Sequence, residues 1–560
     1  MRRCPECRRD YYDDSLLYCL DDGSALLEGP ASITEPATAI LHESAPPSEA
    51  ATKAQIHTTE RTAALQSGLV DAPTQKGRDS RLLLVPLAIV VIVLGGFFGY
   101  RYFTQAKQIE SIAVMPFVNE SGNPEVEYLS DGMTETLISS LSQIPNLNVK
   151  ARSSVFRYKG KGTDPKAIGS ELSVQAVLNG RVVQRGQDLL LNIELIDALT
   201  ENVLWSQNYN RRITDLISLQ SEIARDVSDK LAAKLSGTER QQFAKEYTAD
   251  TEAYSLYLRG RYHFNKRTLK DVQRAIEYFH QAVGKDPNYA LAFAGLADAY
   301  GVLPGYSGQP AGETAARARE AALRALALDE KLSEAHASLA LIMNAYDYDF
   351  PGSEREFKRS IELDPKNAAA LAGYGYVLIQ LGKFDDGLGL IRKAVELEPL
   401  SLPFNRLYGM GLYYARRYRE SEDHLKKTVD LDPTFVLTHY ALSTVYYVQG
   451  KHSDAVESYA RGLEAAGNRE IADDIRKSFI AGGWNEFERS RIERHATRPR
   501  LLLAGSYAQL GDKYRAFQEL ESAIANRDSF ITLLKVEPIL DPLRDDPRFE
   551  ELIRKVGFPN

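Results

Sequence analysis

All three cysteines of this 560-residue chain fall in its first 19 positions, within "MRRCPECRRDYYDDSLLYCLDDG". Cys4 and Cys7 are two residues apart, and Cys19 and Asp22 repeat that spacing, with Gly23 following. Two residues between ligands let one tight turn aim both side chains at a single ion. Thiolates are zinc ligands, and a carboxylate can complete a tetrahedral shell. Cys4, Cys7, Cys19 and Asp22 are therefore candidate ligands of a structural Zn2+. No histidine competes for the fourth position, since the first, His42, comes 20 residues later. A module of 27 residues has too little core to fold without a staple, which a bound metal would supply. The alternative is a short reduced segment with a decayed site.

Other chemistries find no matching residues. The sequence contains no phosphate-cradling GxxxxGK[ST], no kinase HRD or DFG context, and no HExxH, GxSxG or GxGxxG. "SDGM" at 130–133 opens a helix, and no pair of metal-binding carboxylates of the nucleotide-cyclase kind is evident. No catalytic residue is assigned, and no enzymatic activity is expected. Arg2, Arg3, Arg8 and Arg9 cluster near the first knuckle but are outnumbered by Glu6, Asp10, Asp13, Asp14, Asp21, Asp22 and Glu28. Phosphate binding is charge neutralisation, and the whole chain carries a formal charge of −8, so nucleic acid is not the expected partner.

The elements that would position these residues divide into five parts. Residues 1–27 form the cysteine module, which resembles a zinc ribbon in which Asp replaces the last thiolate. Residues 28–80 are rich in Ala, Thr, Ser, Pro and Glu without a sustained apolar period, as expected of a disordered tether. Residues 82–100, "LLLVPLAIVVIVLGGFFGY", are 19 residues without a charge. At about 1.5 Å per residue such a helix spans roughly 28 Å, a bilayer core. Lys76, Arg78 and Arg81 precede it, against Arg101 and Lys107 after it. That bias, together with thiols that stay reduced in a cytoplasm, places the N-terminus inside and the C-terminal part outside. The expected location is a bacterial inner membrane, crossed once.

Residues 108–240 read as a mixed α/β (α+β) domain. "SIAVMPF" and "LNVKAR" are strands. "SDGMTETLISSLSQI" is a helix capped by Ser130 or Asp131, and "DPKAIGSEL" is a short one with Pro165 in its first turn. "VQAVLNGRVVQRG", "QDLLLNIELIDA" and "NVLWSQNYNRR" alternate as three strands, and "ITDLISLQSEIARDVSDKLAAKL" closes the domain. "SIAVMPFVNESGNPEVEYLSDGMTETLISSLSQIPNLNVKARSS" with "GSELSVQAVLNGRVVQRGQDLLLNIELIDALTENVLWSQNY" resembles the TolB-like, also FlgO-like, amino-terminal domain. That domain follows a membrane helix in CadC-like regulators. The resemblance implies binding or sensing and no catalysis.

Residues 250–560 carry an internal period. "ELDP", "ELEP" and "DLDP" end at Pro365, Pro399 and Pro433, at 34-residue intervals, and earlier copies end at Pro287 and Glu330. Gly375, Leu378, Gly382, Ala394 and Pro399 in one copy, and Leu442, Tyr446, Gly450, Ala455 and Tyr459 in another, resemble the tetratricopeptide repeat. Five copies are clear, followed by a degenerate tail and a closing helix in "LDPLRDDPRFEELIRKVGF". A two-helix unit cannot bury its apolar face alone, so neighbours stack into a solenoid. In that geometry positions 5, 9, 12 and 13 of each copy face a concave groove. They read Ala372, Tyr376, Ile379 and Gln380, then Arg406, Met410, Tyr413 and Tyr414, then Tyr440, Thr444, Tyr447 and Val448. Tyr376, Arg406, Met410, Tyr413, Tyr414, Tyr440 and Tyr447 are of types enriched at binding hot spots. They form the candidate peptide-binding groove, with packing between helices as the competing role.

The sequence thus leads to a multidomain chain: small zinc ribbon, one transmembrane helix, TolB-like α/β domain, all-α tetratricopeptide solenoid. The expected function is protein–protein interaction, as a scaffold or signal relay. The alternative is a membrane-tethered regulator whose ribbon contacts nucleic acid or transcription machinery.

Overall fold

The computed structural model of the chain describes residues 2–3, 10–11, 27–28, 109–144, 146–162, 164–231, 247–307, 312–494 and 499–559. The candidate ligands Cys4, Cys7, Cys19 and Asp22, the tether beyond Glu28, and the apolar stretch Leu82–Tyr100 lie outside the described residues. Among the described residues no helix is long and apolar enough to cross a membrane. The chain divides into two compact units, Met1–Tyr100 and Arg101–Asn560.

In the first unit three two-residue strands form an antiparallel sheet. β1 (Arg2–Arg3) lies between β2 (Asp10–Tyr11) and β3 (Leu27–Glu28). Cys4 and Cys7 fall between β1 and β2 in sequence.

The second unit begins with the α/β domain. Its sheet runs β6-β4-β7-β8-β9, where β4 is Ser111–Val114, β6 Asn148–Val149, β7 Ala176–Arg185, β8 Asp188–Asp197 and β9 Val203–Arg212. The short β5 (Val118–Asn119) also pairs with β7. The last three strands are the antiparallel meander that the alternation predicts, and β4 runs parallel to β6 and β7. The expected single strand "SIAVMPF" is broken. Pro116 has no N–H to give the ladder, and the Phe117 N–H turns away to the Thr134 hydroxyl at 3.0 Å.

α1 (Glu127–Ser142) starts three residues before the expected point, after a 3-10 turn at Pro124–Val126 whose first N–H groups are capped by Asn123. Ser130 and Asp131 are therefore not caps. They are buried inside the helix, and Asp131 pairs with Lys159 at 2.6 Å. "LNVKAR" is a strand only at Asn148–Val149, and α2 (Arg152–Phe156) follows at once. α3 (Pro165–Leu172) has the expected Pro in its first turn and Asp164 as its cap. α4 (Leu216–Lys230) buries Leu216, Leu219, Ile223, Ala224 and Val227 along one stripe. Each large side chain so buried contributes about 1.5–3 kcal/mol.

From residue 251 the chain is a tetratricopeptide solenoid. Successive pairs are α5 (Thr251–Phe264) with α6 (Leu269–Lys285), α7 (Ala290–Ser307) with α8 (Gly312–Leu328), and α9 (Ser333–Ile342) with α10 (Phe350–Leu363). Then come α11 (Ala368–Gln380) with α12 (Phe384–Leu397), α13 (Leu402–Tyr414) with α14 (Tyr418–Leu431), and α15 (Val436–Val448) with α16 (His452–Ala465). The period rests on close approach: a Cβ on Gly375 would lie 2.6 Å from the Gly387 carbonyl oxygen, so α11 and α12 touch backbone to backbone. α7 runs on through Pro304 to Ser307.

The degenerate tail has its own order. α17 (Arg469–Arg494) is two helices joined at Gly482 and Gly483. Gly483 has φ 63° and ψ −153°, a conformation essentially confined to glycine. α18 (Arg500–Gln509) and α19 (Lys513–Ala525) form a further pair. Two 3-10 turns follow, Ser529–Leu533 and Pro538–Leu543, and then α20 (Pro547–Val556), the expected closing helix, capped by Asp546.

The α/β domain and the first repeat share one apolar cluster, which takes in Ala253, Tyr254 and Leu258, and the domain and solenoid also meet through charged groups. Glu135 on α1 accepts from Arg261 at 2.7 Å and Asn265 at 2.8 Å, both of the first repeat, and pairs with Arg152 at 3.1 Å. Further along, Ser153 donates to Glu398 at 3.1 Å. Lys366 reaches the carbonyls of Ser142 and Leu147 at 3.2 and 3.1 Å. Burial alone would raise the Glu135 carboxyl, but Arg261 and Arg152 outweigh it and hold it below the usual range.

Candidate peptide groove

The first helices of successive pairs lie side by side, so α11, α13 and α15 present one continuous face. The side chains assigned to that face do not line an open groove. Met410, Tyr413 and Tyr414 are 8 %, 0 % and 5 % exposed, and Ala372, Ile379 and Gln380 are buried. Tyr376 and Arg406 are half-buried. Tyr440 does not point away from its own repeat: its ring packs on Tyr459 of α16, 5.0 Å between centroids, and lies over Gly462. Tyr447 stacks on Trp484 of α17 at 4.6 Å. Most of the seven candidate residues thus take part in packing between helices, the competing role named for them. Sequence position gave the helix face and not what covers it.

The cover over α11 and α13 is the chain's own segment 529–543. Ile531, Leu533, Leu534, Val536, Ile539, Leu540 and Leu543 share one apolar cluster with Ile379, Met410, Tyr413 and Tyr414. Polar contacts fix the register. The Tyr413 hydroxyl donates to Glu537 Oε1 at 2.5 Å, and Gln380 Nε2 donates to the Thr532 hydroxyl at 2.8 Å. Arg416 holds both Asp541 oxygens at 2.8 Å. At the segment's start Tyr348 donates to the Asp528 carbonyl at 3.2 Å, and Arg527 to the Asp347 carbonyl at 3.1 Å.

Glu537 is 1 % exposed. Burial pushes its carboxyl up to about 7, against the opposing hydrogen bonds from Tyr413 and the Ile539 N–H and the nearby Arg416. Burial and the Glu537 charge drive Tyr413 well above the ordinary phenol range. Tyr376 is pushed up to about 12 by burial. Arg406, beside Tyr376 and Tyr414, has a buried Nε with no hydrogen-bond partner. This arrangement binds a peptide in the literal sense: an irregular segment held by aliphatic burial, one phenol–carboxylate bond and one bidentate guanidinium.

Among the described residues no group of three or more His, Cys, Asp or Glu is disposed to hold a metal ion. Zinc binding by Cys4, Cys7, Cys19 and Asp22 therefore remains a reading of the sequence. The residues that sequence reasoning missed are Thr532, Glu537 and Asp541. Their signal was present in "FITLLKVEPILDPL", whose aliphatic density demands burial while Pro538 and Pro542 forbid a regular helix.

Comparison with known proteins places these parts. Residues 107–226 match the model of the HilA/YgeH-like transcriptional regulator family, second domain. Residues 348–401 and 409–470 match the tetratricopeptide repeat model. The protein is thus a multidomain chain joining a HilA/YgeH-like regulator domain to a tetratricopeptide solenoid, a repeat that mediates protein–protein interaction. It is 37% identical over 189 residues to "Putative adenylate cyclase 3" of Rhizobium meliloti (strain 1021), covering 33% of this chain and 32% of that one. It is 21% identical over 294 residues to transcriptional regulator HilA of Salmonella typhimurium (strain LT2), covering 52% and 51%. The chain spans about a third and about half the length of these curated relatives. Among solved structures, YrrB, described as a TPR protein with an unusual peptide-binding site, is 17% identical. The match covers 36% of this chain and 97% of that one, with a TM-score of 0.24.

Proposed function

We propose that this protein is a non-enzymatic, membrane-anchored scaffold or signal relay that binds a protein or peptide partner through its repeats. The observation that carries the reading is the charged junction at Glu135, Arg152, Arg261 and Asn265, continued by Ser153–Glu398 and Lys366. It ties a regulator-type α/β domain to the solenoid at two separate repeats. Binding energy gained at the solenoid is then available to shift the α/β domain, which is what a relay requires. Anchoring through Leu82–Tyr100, a cytoplasmic zinc ribbon with Cys4, Cys7, Cys19 and Asp22 as ligands, and a TolB-like character of the α/β domain complete the reading. They rest on the sequence. The second reading, a tethered transcription regulator, is favoured by the match to the HilA/YgeH-like second domain.

The test is capture by the immobilised full-length chain, beside an Arg406→Glu copy and a Glu135→Ala copy. A partner that binds the wild type as a purified protein and is lost from the Arg406→Glu copy supports repeat-mediated docking. Nucleotide turnover by the purified chain, or specific retention of DNA by residues 1–80, would overturn the scaffold reading in favour of an enzyme or a DNA-contacting regulator.

A further inference from the structure

We propose that the α11–α13 groove is a docking site for an extended, acidic and aliphatic segment of a partner protein, with residues 529–543 of the same chain as resident competitor. This rests on the reading that the repeats bind protein partners, and it supplies the chemistry of what they bind.

The resident segment defines the ligand class. It places one carboxylate on Tyr413 and a second, four residues on, between the two ends of the Arg416 guanidinium. Aliphatic side chains before and between these carboxylates fill the face between the helices. A polar peptide cannot replace that apolar area, so the partner segment must be aliphatic as well as acidic.

Three features make the resident replaceable. The segment is built of two 3-10 turns of five and six residues rather than a long helix, and 3-10 hydrogen bonds have poorer geometry than those of an α-helix. The Arg416–Asp541 pair that fastens its far end is about half exposed, and such pairs are weak. The resident also leaves the groove incompletely satisfied, because Arg406 Nε stays buried without a partner. A ligand with one further carboxylate directed at Arg406 therefore gains a charge-assisted contact that the resident lacks.

The experiment uses the full-length chain and a fluorescein-labelled synthetic peptide of residues 529–543, followed by anisotropy. Wild type is expected to bind the probe weakly, because its groove is filled. Asp541→Ala, which loosens the resident at an exposed pair, should bind it at least threefold tighter, and Glu537→Ala at least tenfold tighter. In the Asp541→Ala background an elongated probe with an extra Asp should bind more tightly than the plain probe, and Arg406→Gln should abolish that advantage. A probe with both acids changed to Gln should bind at least tenfold more weakly. Near-ultraviolet dichroism checks that each variant is folded, and Asp541→Ala keeps the test valid if Glu537→Ala unfolds. The proposal falls if no variant binds the probe, or if all bind it equally. It falls too if light scattering shows that loosening the tail only yields dimers with exchanged tails that exclude the probe. A purified partner that binds wild type while the probe fails would leave the scaffold reading standing and remove this one.

Discussion

The Tyr413 hydroxyl and the Glu537 carboxylate meet at 2.5 Å, both fully buried and 124 residues apart in sequence. Removing the phenolic oxygen leaves a buried carboxylate short of a donor, which costs about 1–3 kcal/mol. Tyr413→Phe should lower the urea midpoint by a corresponding amount. Glu537→Gln in the same background should recover part of the loss, because an amide tolerates the site better than an unpaired carboxylate. Equal stability of wild type and Tyr413→Phe would mean that the bond contributes nothing net.

Glu537 also sets a pH dependence. Its carboxyl is raised from 4.5 to about 7 in the folded chain. The native state therefore holds the proton more tightly than the unfolded state. The associated stability is fully present below pH 4.5 and is lost as pH rises through 7, a swing on the order of 3 kcal/mol. Tyr413 and Arg416 favour the charged form of Glu537, and Asp541 opposes it. Denaturation at pH 5.5 and 8 should show the difference shrinking in Glu537→Gln. An unchanged difference would assign the effect elsewhere.

Glu135 holds Arg261 and Asn265 across the junction and Arg152 on its own side. Glu135→Ala leaves Arg261 and Arg152 facing each other without the intervening carboxylate, so a loss of about 2 kcal/mol or more is expected. Calorimetry should then resolve the α/β domain from the solenoid as separate transitions. A single transition at the wild-type temperature would show that apolar contacts alone hold the junction.

Gly483→Ala should cost about 1–3 kcal/mol, because φ 63° with ψ −153° is closed to an alanine. The effect should be local. Trp484, stacked on Tyr447 at 4.6 Å and His452 at 4.7 Å, would lose its environment, and its emission should shift to the red. Trp205, the other tryptophan, lies on β9 and should not respond. Unaltered emission would place the kink's strain outside the aromatic stack.

The zinc reading predicts one Zn2+ per chain under reducing conditions, lost in Cys19→Ala and weakened in Asp22→Ala. Chelation should release it without changing the melting of the solenoid. Full occupancy in Asp22→Ala would move the fourth ligand elsewhere, and no metal in the wild type would remove the site.

The sequence made the helix pairs legible because their spacing is enforced locally. Gly382 and Gly450 take φ of 83° and 72° in the turns the pattern requires, and Ala394 and Ala455 are wholly buried where small residues recur. The β7–β8–β9 meander followed for the same reason, since alternation reports which side of each strand is covered. The groove did not. Met410, Tyr413 and Tyr414 are covered by a segment more than a hundred residues downstream. No short-range periodicity encodes that contact. Ser130 and Asp131 were misread for a related reason: the Asn123 cap and the 3-10 turn move the helix start upstream, and Lys159 neutralises an acid that would otherwise belong at an end.

The segment from Asp528 to Asp541 touches the Asp347 turn at one end and Arg416 at the other, with Gln380 and Tyr413 between. Helical-repeat coils stretch and twist like springs, because each unit contacts only its neighbours. A strut bonded at several points along that stretch removes the compliance there, so under tension the coil should extend first in the repeats that the strut does not cross.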